Sequence, residues 1–145
     1  IYRCDWSSDV CSSDLDIERI GDHAENIADF AKSIIEREIF LDEDTAYELD
    51  GLYALVQKGF ALSIDALSTG DQNKVQEAIQ IERDIDKLKI EVRDKYMKRM
   101  NKGIASAESG IFVMDLLSNL ERISDHFRNI SETVERLKRP VIVTE

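Results

Sequence analysis

The sequence predicts an all-α fold: an antiparallel three-helix bundle preceded by one long helix from an incomplete sister bundle. Three observations carry that reading. Apolar residues recur at three-and-four spacing through four long stretches, the pattern of one buried helix face. The 145 residues hold only one proline and six glycines, so few positions interrupt a helix. Finally, Asp16-Ile-Glu-Arg-Ile-Gly-Asp-His-Ala-Glu-Asn-Ile returns as Asn119-Leu-Glu-Arg-Ile-Ser-Asp-His-Phe-Arg-Asn-Ile. A duplicated segment of this kind points to a duplicated helical unit.

The first helix is predicted from Leu15 to about Phe40, on the spacing of Ile17, Ile20, Ala24, Ile27, Ala31, Ile34 and Ile35, with Ser13 or Asp14 capping its start. Residues 1–14 read as a non-native leader. Trp6-Ser-Ser-Asp-Val is followed by its near-duplicate Cys11-Ser-Ser-Asp-Leu, without the basic start and apolar run of a secretory signal. Acidic Asp42, Glu43 and Asp44 precede a second helix carrying Leu49, Leu52, Val56, Phe60, Ile64 and Leu67, with Gly70 at a C-cap position. Asp71 caps a third, which carries Val75, Ile81, Ile85, Leu88, Val92 and Tyr96 and stops near Asn101-Lys-Gly103. The fourth starts near Ser106, carries Phe112, Leu116, Leu120, Ile123, Phe127, Ile130 and Val134, and ends before Pro140. Short loops make the last three helices antiparallel neighbours. The domain division is therefore 1–14 leader, 15–40 last helix of a first bundle, 41–139 complete second bundle, and 140–145 tail.

Composition narrows the function. Lys and Arg number 19 against 30 Asp and Glu, a formal net charge of -11, which opposes binding to a phosphate backbone; no nucleic-acid partner is expected. The longest apolar runs are broken by Asp65 and Asp115, short of the roughly 18 residues a membrane span requires. Both cysteines, Cys4 and Cys11, lie in the leader, so no disulfide framework supports the fold and a reducing, cytoplasmic setting is expected. No Ser or Cys nucleophile has a base at a recognisable spacing, and Gly51, Gly59 and Gly70 are isolated rather than part of a phosphate loop. The chain is predicted to be non-enzymatic.

The chemistry that stands out is carboxylate pairing at i and i+4. Glu18 with Asp22, Glu82 with Asp86, and Glu121 with Asp125 each stack about 6 Å apart along one helix face. Glu121, Asp125 and Asn129 fall within roughly 80° of one another, opposite the apolar stripe of the fourth helix, and so read as outward-facing. Pairs from neighbouring helices offer an oxygen-rich patch to a hard cation such as ferric iron, Mn, Mg or Ca, with Zn also compatible. The plainer reading is a solvated acidic face. His23 and His126 border the apolar stripes, where a hydrogen-bonded packing role is expected, and Arg19 and Arg122 read as surface ion-pair partners. Glu18 to His23 and Glu121 to His126 are five residues apart, which does not fit the Glu-x-x-His of ferritin-like di-iron bundles.

Leu-Glu-Arg-Ile-(Gly/Ser)-Asp-His closing a helical repeat, with Glu-x-x-x-Asp on the preceding helix, resembles the PhoU phosphate-regulator family across about residues 15–137. The resemblance implies two similar three-helix bundles whose acidic motifs hold a multinuclear iron or zinc cluster. Glu82, Asp86, Glu121 and Asp125 then form the site of the second bundle, while Glu18 and Asp22 belong to the first. Ser124 stands where the motif usually has glycine, and Phe127 and Arg128 replace the Ala24 and Glu25 of the first copy. The resemblance further implies a regulatory domain in phosphate uptake at the inner face of the membrane, working with a phosphate transporter fused to it or in trans, and in the latter case with a sensor kinase. A homo-oligomer is compatible with it. Ser109-Gly-Ile-Phe-Val-Met-Asp-Leu-Leu-Ser-Asn-Leu-Glu-Arg-Ile looks more like the form fused to sodium-dependent phosphate cotransporters. The alternatives are the stand-alone regulator and a metal-free helical bundle that binds a protein partner.

Overall fold

A computed structural model of the chain describes residues 6–137, with side chains from residue 11 onward. Four helices make up the described part: α1 (Trp6–Glu36), α2 (Glu43–Thr69), α3 (Gln72–Asn101) and α4 (Ala107–Leu137). The expected stop at Pro140 and the tail lie outside the described residues, as does Cys4.

Helix ends follow local chemistry. The Asp42 side chain accepts from the backbone N–H of Thr45 at 2.9 Å and from its hydroxyl at 2.6 Å, which caps α2. Gly70, at φ 70°, closes the same helix in the left-handed conformation that a side chain disfavours. Asp71 caps α3 through the N–H of Asn73. Ser106 opens α4 by accepting from the N–H of Ser109. The first helix departs from expectation at both ends. It starts at Trp6 rather than Leu15, so Ser13 and Asp14 lie inside it and cap nothing. The duplicated pentapeptide contains no proline or glycine, and Ser13 and Asp16 are buried, so tertiary packing extends a helix that periodicity alone does not reveal. At the other end the helix stops at Glu36, and Glu38 turns the chain at φ 52°.

Helices α2, α3 and α4 form the three-helix bundle, each touching the other two. Its core is built from Leu52, Ile85, Val92, Tyr96, Leu117, Leu120, Phe127 and Ile130. α4 runs antiparallel to α3 and parallel to α2, and the parallel contact is close: the Phe127 ring lies over Gly59, and Ser63 and Ser131 share a buried hydrogen bond at 2.9 Å. α1 lies antiparallel along a further side of α4, with no backbone approach to α2 or α3 among the described residues. α4 is therefore enclosed on three sides. Glu121, Asp125 and Asn129 stay off the buried face, with Asp125 and Asn129 exposed as expected, but they serve two sides: Asn129 reaches toward α1, while Asp125 borders α3.

Candidate functional site

Two polar systems run along α4, one toward α1 and one toward α3. The first explains the repeated His and Asn. Asn119 donates its amide to the carbonyl of Asp115, which leaves its Oδ1 to accept from His23 Nδ1 at 2.9 Å and Asn26 Nδ2 at 3.2 Å. Asp16, the counterpart of Asn119 at the 103-residue repeat offset, accepts from His126 Nδ1 at 2.8 Å and, more weakly, Asn129 Nδ2 at 3.4 Å. The two imidazoles stack between these arms with centroids 5.8 Å apart and planes 23° from parallel. The helices thus meet as a two-fold related pair would, each repeat reaching for the other's equivalent position. His23 and His126 join the helices, in the packing role their positions predict.

The second system is the acidic one. Carboxylate oxygens of Glu82, Asp86 and Asp125 all lie within 4.8 Å of one another, across the groove between α3 and α4. The antiparallel register places them so: the α3 pair at 82 and 86 runs beside α4 residues in reverse order. Glu82 forms the floor, only 2% exposed. Burial pushes its carboxyl above the usual range, with help from Asp86 and Asp125, although the Arg128 guanidinium pulls the other way. Burial likewise raises Asp125, reinforced by the charges of Glu121 and Asp86 and opposed by His126 and Lys89. Neither Asp86 nor Asp125 has a hydrogen-bond or ion-pair partner among the described residues.

Two cations of the chain frame this groove, and periodicity gave no sign of them. Arg128 donates from one terminal nitrogen to both Glu82 oxygens, at 3.2 and 3.1 Å, and its Nε donates to Glu132 at 2.9 Å. Lys89 pairs with Glu121, so the fourth expected carboxylate is engaged beside the trio rather than within it. The available signal was the exchange of Glu25 for Arg128 between the two copies of the repeat. Glu18 and Asp22 sit apart from this groove. Both are exposed on α1, and Asp22 has only a long ion pair to Arg19, 3.9 Å away. Arg122 has no ion pair among the described residues.

Residues 49–134 match the family described as the PhoU domain. The chain belongs to the PhoU family. A curated PhoU relative, the phosphate-specific transport system accessory protein PhoU homolog of Pseudomonas aeruginosa, is 31% identical over 134 residues, covering 90% of this chain and 53% of the relative. The chain thus spans about half the length of the curated relative it matches. No solved structure gives a significant match. The PhoU match runs from the middle of the first turns of α2 almost to the end of α4, so it covers the α3–α4 groove entirely.

The groove's chemistry fits a cation better at one stoichiometry than another. Three convergent carboxylate oxygens suit a single hard divalent ion, whose oxygen ligands stand about 2.0–2.6 Å from the metal. Counting Glu132, five carboxylates and two basic side chains leave a formal charge of -3, most of which one such ion offsets. Either occupant has to share Glu82 with Arg128, but a multinuclear cluster also needs Glu121 released from Lys89.

Proposed function

We propose that this chain is a non-enzymatic regulatory domain of phosphate uptake, acting on a membrane phosphate transport system, with a divalent cation held by Glu82, Asp86 and Asp125. Membership of the PhoU family supports the phosphate context, and the convergence of three carboxylates on the α3–α4 groove is the observation that supports the cation. The cation's role is electrostatic: it relieves repulsion between Asp86, Asp125 and buried Glu82, and so ties α3 to α4. The accessory protein among the relatives favours action in trans on a transporter over the cotransporter-fused arrangement to which the Ser109–Ile123 segment pointed. No helix among the described residues is long and apolar enough to cross a membrane.

The architecture proposed for the whole protein is two bundles joined along the α1–α4 seam. Support comes from comparing the two copies of the repeat. Leu120, Ser124, Phe127 and Ser131 of α4 are fully buried, whereas their α1 counterparts Ile17, Gly21, Ala24 and Ala28 are exposed. In this reading that face of α1 seats the helices of a sister bundle, and Glu18 and Asp22 serve a site there.

Titration calorimetry with Mn²⁺ tests the cation site. Wild type is expected to bind about one equivalent, and the pair of substitutions Asp86→Asn and Asp125→Asn to abolish the heat. Unchanged binding by the double variant counts against the assignment. For the phosphate context, the chain immobilised on resin is expected to enrich phosphate-transporter subunits from solubilised membranes of its source; no enrichment over resin alone removes the support for that part.

A further inference from the structure

Arg128 stands at a telling place. It follows Asp125 by one turn of α4, its guanidinium contacts both oxygens of the floor carboxylate Glu82, and its Nε rests on Glu132, one turn further along. The side chain is 39% exposed while that of Glu82 is 2% exposed, so the charged head reaches inward from a partly solvated stem. At the same point of the first copy of the repeat stands Glu25, a reversal of charge between motifs that share Glu-Arg-Ile, Asp-His and Asn-Ile. A carboxylate as enclosed as that of Glu82 is costly to leave ionised and unpaired. In the absence of a metal, Arg128 answers that cost. A divalent cation bound by Glu82, Asp86 and Asp125 answers it as well, and the two charges compete for the same oxygens.

We propose that Arg128 is a built-in counter-ion of the α3–α4 groove: it occupies the Glu82 carboxylate until a divalent cation displaces it, and Glu132 is the berth that retains the guanidinium once it is displaced. Arg128 therefore sets the affinity of the groove without ligating the ion. This inference rests on the cation reading of the groove given above. It assigns opposite signs to two neighbouring residues. Removing the arginine removes the competitor and tightens binding; removing the berth leaves the arginine only Glu82 to pair with and weakens binding.

The experiment is Mn²⁺ titration of the full chain, followed by calorimetry and by the loss of the free-ion electron paramagnetic resonance signal. Wild type, Arg128→Gln, Arg128→Lys and Glu132→Gln are compared, with circular dichroism melts confirming that each variant is folded. Arg128→Gln is expected to lower Kd tenfold or more, Arg128→Lys by less because an ammonium retains the charge without the planar fork, and Glu132→Gln to raise Kd several-fold. The proposal is overturned if Arg128→Gln binds no more tightly than wild type, since the arginine is then only a structural clamp on Glu82. It is overturned equally if Glu132→Gln shifts Kd in the same direction as Arg128→Gln. Should neither wild type nor any variant take up Mn²⁺, the cation site itself fails and this inference with it, a result distinct from intact binding that Arg128 leaves unmoved.

Discussion

Asp125 is exposed at the rim of the groove, yet its surroundings disfavour its charged form. Burial and the neighbouring Glu121 and Asp86 raise its carboxyl above the ordinary value, so the folded state holds a proton more firmly than the unfolded chain does. Its unfavourable contribution is absent below the unfolded pKa and grows as pH rises through the folded pKa. In metal-free buffer, Asp125→Asn is therefore expected to raise Tm at neutral pH by about 1–2 °C, the scale of relieving one like-charge helix pair. The gain should shrink toward zero as pH falls through the carboxylate range, and a pH series of thermal melts reads it. Asp42 behaves oppositely: burial raises it, but the Thr45 hydrogen bonds and Arg99 outweigh burial and hold it below its usual value. Its stabilisation is present above the unfolded pKa and is lost as pH falls through the folded one. A steric residue effect is sharper. A Cβ at Gly59 meets the Phe127 ring at 2.4 Å, and ring and backbone are both locked in the core. Gly59→Ala should cost about 1–3 kcal/mol, the range for overpacking, visible as a lowered urea midpoint at unchanged slope. The carboxylates of the groove were legible as i, i+4 pairs, whereas Gly59 read only as an isolated glycine and Arg128 only as the replacement for Glu25 of the first copy. Periodicity ranks residues by face along one helix, and both of these roles depend on what a second helix brings opposite.

Among the elements, α1 differs from the rest because, among the described residues, only the α4 backbone comes close to its own. The caps of α2 and α3 were readable from Asp42, Gly70 and Asp71, since a cap is a local bargain between a side chain and its own backbone. The start of α1 was not, because Trp6-Ser-Ser-Asp-Val-Cys-Ser-Ser-Asp-Leu carries no helical apolar period to mark it. The repeat gave the two histidines and asparagines in register, yet only the antiparallel meeting of α1 and α4 shows that Asp16 and Asn119 are their acceptors. Deleting one acceptor arm therefore tests the element. Asp16→Ala leaves His126 and Asn129 without their acceptor, at a cost of about 1–3 kcal/mol for hydrogen bonds to a charged group. Hydrogen exchange should speed up through α1 and along the facing side of α4, while amides of α2 and α3 keep their protection. Uniform acceleration across all four helices would mean that α1 and the bundle form one cooperative unit.

Across the molecule, charge is distributed as unevenly as support. α1 carries eight acidic residues against two basic, and α2 five against one, so these two helices account for ten of the eleven net negative charges. α3, with eight basic residues against six acidic, is slightly positive. α1 and α2 face each other across an apolar trough lined by Ile20, Ala24, Tyr53, Val56 and Phe60, with Ile123 at its floor. Repulsion between them acts through solvent, at separations where salt screens well, since the Debye length falls from about 30 Å at 0.01 M to about 10 Å at 0.1 M. Paired charges elsewhere, such as Arg99 with Asp42 and Glu48, are more enclosed and respond less. Raising NaCl from 10 to 300 mM (about a fivefold shortening of that length) should therefore stabilise the chain, with Tm rising a few degrees by the usual conversion for a domain of this size. The gain should fall mainly on α1, the helix that combines the largest negative charge with the least support. Hydrogen exchange at the two salt concentrations locates it: greater protection through α1 and at the α1–α2 turn, little change in α3. If protection instead rises evenly, or chiefly in α3, the imbalance of charge between the helices does not govern the stability of the seam.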